Sequence, residues 1–194
     1  MVEFKAQPSA ATEFQLALES LRTAGVREEL NVREIPAPDG LAPHAVAFAA
    51  DVKALSEHEK VDLGTGRLVL LWDKKPQEAW ASRFRAIVYA KSPVETDVGE
   101  GEDEAGLTWA WLMSALEQTG SSHAGEAGTA TLIRSTGYGS LQHHQHHMEV
   151  ELRASWSPMD TNFGSHFQAW QNLICMMAGH PLHNSELGRL DSRA

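Results

Sequence analysis

Four of the ten histidines in this chain lie in one run, QHHQHH from Gln142 to His147, which leads directly into MEVELRASW. Imidazole is both a metal ligand and a proton carrier near neutral pH. If the run continues the strand that follows it, His144 and His146 share a face with Met148, Val150, Leu152 and Trp156. His143, His147, Glu149 and Glu151 then share the other. Alternate residues on a strand stand about 7 Å apart along the backbone, a spacing from which two imidazoles can converge on Zn²⁺ or a similar divalent ion. His147 with Glu149 offers the same spacing with a mixed donor set. A complete site needs a third ligand, for which His123 and His166 are candidates. The competing reading is a hairpin end rich in solvated histidines, and the absence of HExxH and CxxC elements favours it.

The other reactive side chains form no catalytic set. Cys175, in the apolar stretch NLICMMAG, is expected to be a buried, inert thiol. GxSxG is absent, and the glycines of STGYGS have no helix start behind them to hold a phosphate. The acidic run ETDVGEGEDE does not follow the calcium-loop pattern and reads as solvated. No catalytic residue is assigned, and the one cofactor considered is a divalent metal at His144, His146, His147 and Glu149.

A broader constellation involves several strands. Arg83, Arg85, Thr129, Thr131, Glu149, Glu151 and Arg153 fall on the polar faces of strands, and an open antiparallel sheet would gather them into one mixed-charge surface. Such charges can pair across strands with no further role, or they can recognise a protein. Six tryptophans stand against two tyrosines; most must be core or rim, but an exposed indole, as Trp80 or Trp109 could be, would be an interface anchor. Trp80, Arg83, Arg85, Arg153 and Trp170 are the interface candidates.

The elements that must position these residues follow from periodicity. Phe14, Leu18 and Leu21 define a first helix over 9–24, followed by Gly25. LNVREI reads as an edge strand stopped by Pro36 and Pro38. HAVAFAADV tolerates burial on both faces and reads as a central strand. RLVLLWD (67–73) and RFRAIVYA (83–90) follow as a meander, and residues 93–105 read as an acidic loop. A second helix is expected over 106–118, then strands GTATLIRS and MEVELRASW, then a third helix over 163–178 closed by Gly179, with 182–194 a loose tail. Strands and helices do not alternate, so the expectation is a single α+β domain with a core over 9–181. Its sheet is largely antiparallel, with five to six strands packed by three helices. In outline this order resembles that of type III secretion chaperones.

With 194 residues, 42% hydrophobic and 22% charged, the chain has the composition of one ordinary globular domain. A formal charge of −10 argues against direct binding to nucleic acid or anionic membrane. One cysteine, no apolar leader and no run near 18 apolar residues make it a cytoplasmic protein by expectation.

In order and spacing, GLAPHAVAFAADV, TGRLVLLWDKKPQEAWASRFRAIVYAKS, GLTWAWLMSALE, VELRASWSP and FQAWQNLICMMAG resemble the actinobacterial DUF3000 family. The resemblance runs from about Phe14 to Pro181, and its aromatic signatures are Trp80, Trp109, Trp111, Trp156 and Trp170. It implies no activity, cofactor or catalytic set. It also implies that the histidine cluster is private to this chain, and a gene neighbourhood with a ribonuclease D-like protein and heme-synthesis enzymes. The functional expectation is a non-enzymatic binding or adaptor domain whose partner is another protein or a second copy of itself. The sheet edge or the third helix would serve as its interface. The alternative is a metal-binding protein or metal-dependent enzyme built on the histidines.

Overall fold

The structure is a computed structural model and describes residues 10–54, 63–94, 103–142 and 147–180. Six strands, β1 (Leu30–Ile35), β2 (His44–Val52), β3 (Thr65–Gln77), β4 (Ser82–Val94), β5 (His123–Ser135) and β6 (His147–Pro158), form one antiparallel sheet in the order β1-β2-β3-β4-β6-β5. Helices α1 (Ala10–Thr23), α2 (Asp103–Gln118) and α3 (Phe163–Met177) pack on one face of it. The expected single α+β domain is what the chain adopts. No described helix is long and apolar enough to cross a membrane.

Period-two alternation sorts each strand between the two faces. Val46 and Ala50 of β2, Leu68, Leu70 and Trp72 of β3, Phe84, Ala86 and Val88 of β4, and Leu152, Ala154 and Trp156 of β6 all turn to the helices and are buried. The three helices fit because glycine occupies the points of closest approach. A Cβ at Gly66 would stand 2.3 Å from Ile174 Cδ1, and one at Gly128 would stand 2.8 Å from the Trp109 ring. β3 and β4 continue beyond their apolar runs into a tight hairpin. It turns through a single 3₁₀ turn, Glu78–Trp80, with Ala81 in the left-handed conformation at φ 49°.

Two expectations are corrected, and a third lies outside the described residues. The acidic stretch is not one loop from 93 to 105: Pro93 and Val94 complete β4, α2 begins at Asp103, and residues 95–102 lie outside the described residues. The expected tail, 182–194, also lies outside them. The third helix is no apolar surface in need of a partner. It is flanked by α1 and α2 and seated on β2, β3 and β4, so Leu173, Ile174, Cys175 and Met177 are all buried within the chain. A helix that is apolar all round is a core helix when every side has a neighbour.

Candidate functional site

The face of the sheet opposite the helices holds a shallow cleft of about 870 Å³. Its floor is built by register. Ala47, Val69, Ile87, Ser155 and Ala127 are successive cross-strand partners from β2 to β5, and they make a row that is aliphatic at its centre. The row beside it reads Arg67, Tyr89, Arg153, Thr129. On the opposite side Leu71 pairs with Arg85, and Trp80 closes that end of the cleft. Three guanidinium groups thus flank an aliphatic strip, in a chain whose net charge is −10.

The three arginines differ in how they are held. Arg85 donates to Ser155 Oγ at 2.7 Å, Ser157 Oγ at 3.0 Å and the carbonyl of Gly125 at 3.0 Å, all neutral oxygens. Burial pushes its pKa below the ordinary arginine value, with the field of Glu126 acting the other way. Glu126 itself pairs with His123 at 3.2 Å. Arg153 lies 5.7 Å from the centre of the Tyr89 ring and pairs with Glu151 at 3.1 Å. The Tyr89 hydroxyl donates to the other oxygen of Glu151, and burial, followed by that carboxylate, raises the tyrosine pKa. Arg67 is exposed and makes no ion pair among the described residues. In the next row outward Lys91 reaches past its register partner Glu151 to pair with Glu149. The back of the cleft is pinned where Ser157 Oγ donates to the Trp80 carbonyl at 2.6 Å and Ser82 Oγ donates to that of Pro158 at 3.1 Å.

Of the five interface candidates, Trp80, Arg85 and Arg153 meet at this cleft. Arg83 instead bonds Glu13 of α1 at 3.0 Å, beside the Trp72 indole, and staples strand to helix. Trp170 is fully buried among Phe167, Ile174 and the Gly66 backbone, so it is a core residue and cannot anchor a partner at the surface. Arg67, Val69, Ile87 and Tyr89 were not singled out from the sequence. Their signal was the alternation in RLVLLWD and RFRAIVYA, in which Arg67, Val69 and Leu71, and Arg85, Ile87 and Tyr89, share the face opposite Leu68 and Leu70.

His144 and His146 lie outside the described residues. His147 Nε2 stands 3.0 Å from Glu149 Oε1, an oxygen already paired with the Lys91 ammonium. That ammonium, then His147, holds the Glu149 carboxyl below its usual pKa. His123 cannot complete this pair. It sits opposite Pro158 while His147 sits opposite Ser135, the two ends of the β5–β6 ladder, about 36 Å apart at strand rise. His166 is a buried residue of α3 itself, facing the sheet, where its Nδ1 accepts a hydrogen bond from Trp156 Nε1 at 3.0 Å. Among the described residues no group of three His, Cys, Asp or Glu is placed to hold a metal.

A family model described as a protein of unknown function, DUF3000, matches residues 10–185. The chain belongs to the DUF3000 family. No curated protein and no solved structure matches it. The DUF3000 match begins with α1 and runs past α3, so every strand that floors the cleft lies within the family region.

Proposed function

We propose that this DUF3000 chain is a non-catalytic binding domain acting through protein–protein contacts, and that its acceptor surface is the open-face cleft. The observation that carries the reading is Arg85, a partly buried cation fixed in place by three neutral oxygens with no carboxylate bound to it among the described residues. A rigid guanidinium left without an anionic partner is prepared for one that arrives from outside. The half-buried Val69 and Ile87 beside it provide apolar area, and Trp80 provides an aromatic wall. Among the described residues the cleft lining contains arginine, tyrosine, serine and threonine but no histidine, cysteine, lysine or carboxylate. Ser155 therefore has no base beside it to make it a nucleophile.

The test places a photo-crosslinking amino acid at Thr129, on the cleft, or at Leu107, which is exposed on α2. Discrete adducts are expected from the Thr129 probe in cells, absent from the Leu107 probe and lost when Arg85→Met is added. Equal adducts from both positions, or none from Thr129, would overturn the reading.

A further inference from the structure

From the spacing of the cations across the open face, we infer that the cleft takes an extended acidic peptide segment. It carries carboxylates at positions i and i+4 and an apolar side chain at i+2. This inference rests on the cleft being the binding surface and specifies what enters it. Arg85 and Tyr89 are four residues apart on β4, and Arg67 and Arg153 are the cross-strand neighbours of Tyr89. At strand rise the two cationic positions are therefore about 13 Å apart, with the Val69–Ile87 pair midway between them. An extended peptide laid parallel to β4 has the same rise. Its residues i, i+2 and i+4 point to one side, so they meet cation, aliphatic strip and cation in turn.

Charge complementarity selects the occupant. Arg67 and Arg85 have no carboxylate bound among the described residues, whereas Arg153 is already paired with Glu151 and Lys91, one row farther out, with Glu149. The cations left for a ligand are thus Arg85 at one end of the strip and Arg67 at the other, and two of them match two carboxylates better than a long polyanion. A nucleic acid would carry a charge at every residue along its backbone and would meet the repulsion of a chain at −10. The floor between the cations is aliphatic, and Trp80 and Tyr89 stand at its two ends and do not form the continuous stacking platform that successive bases use.

The test uses two fluorescein-labelled nine-residue peptides of identical composition in a Ser/Thr background, titrated against the full chain by fluorescence anisotropy. One has Glu at i and i+4 with Leu at i+2. The other has the two Glu adjacent and the Leu four residues away. At least tenfold tighter binding of the first is expected, and Arg67→Met and Arg85→Met should each remove most of that preference. Arg67 makes no side-chain hydrogen bond among the described residues, so its variant reports on binding without a folding penalty. Equal affinity for the two peptides, or an unchanged preference in Arg67→Met, would overturn the inference. So would a 15-mer of thymidine that binds more tightly than either peptide. If the spacing preference is absent while the Thr129 crosslinks still depend on Arg85, the inference fails and the cleft remains the binding surface. If both are absent, the reading of the cleft fails with it.

Discussion

The most consequential single side chain outside the cleft is His166. Its Nδ1 accepts the Trp156 indole hydrogen, so its own proton sits on Nε2, which is buried and has no hydrogen-bond partner among the described residues. Burial lowers its pKa to about 4 from an ordinary 6.5; Asp160 acts against the shift and His123 with it. The unfolded chain therefore binds a proton at a pH where the folded chain does not. The stability tied to the neutral imidazole is complete above about pH 6.5 and is lost progressively as pH falls toward 4. At 1.36 kcal/mol per pKa unit the loss approaches about 3 kcal/mol. Urea titrations between pH 7 and pH 4 should show it, and His166→Gln should flatten the slope across that window. A slope unchanged in the variant would assign acid sensitivity to other groups. Cys175 is governed by the same physics in the other direction: burial pushes its thiol up to about 11, and it is fully enclosed. The buried thiol expected from its apolar neighbours is the one the fold contains.

Between elements, the decisive contacts are those where a helix meets bare backbone. α3 lies so close to β3 that a methyl group at Gly66 would overlap Ile174 and come within 3.0 Å of the Trp170 indole nitrogen. Gly66→Ala is expected to cost about 1–3 kcal/mol through overpacking, read as a lower thermal midpoint. Gly106→Ala, where a Cβ would meet nothing within 4 Å, should leave the midpoint unchanged or raise it slightly. The strands were legible because alternation is a local property: Val46, Leu68, Leu70, Val88 and Leu152 declare their face from sequence alone. The setting of the third helix was not, because an apolar stretch such as NLICMMAG does not say whether α1, α2 or a second molecule will cover it. The cleft was half legible for a similar reason. Arg85 and Arg153 could be assigned to polar faces, but that Arg67, Tyr89, Arg153 and Thr129 form one row depends on inter-strand register, which arises between segments up to about ninety residues apart.

For the molecule as a whole, the local and global fields have opposite signs. An acidic peptide approaching from a distance meets a repulsive field from the net charge of −10, and only near the sheet does it meet the three arginines. Screening lengths shorten from about 30 Å at 0.01 M salt to about 8 Å at 0.15 M, so added salt removes the distant repulsion before the near attraction. The association rate of the spaced Glu peptide is therefore expected to rise with salt over that range, while its dissociation rate also rises. Stopped-flow fluorescence would show both. A falling association rate would mean that the cleft's field dominates at long range. The position of β6 in the sheet has a kinetic consequence as well. β1 to β4 are sequential neighbours, but β6 pairs with β4 only after α2 and β5 have been traversed. Closing that long segment is entropically unfavourable, so β4–β6 docking is expected to be a late event in folding. Arg85 comes from one side of that seam, and the serines that hold it come from the other. The cleft is therefore assembled by the last strand to arrive, and a ligand seated in it would act as a clasp on the final step of folding.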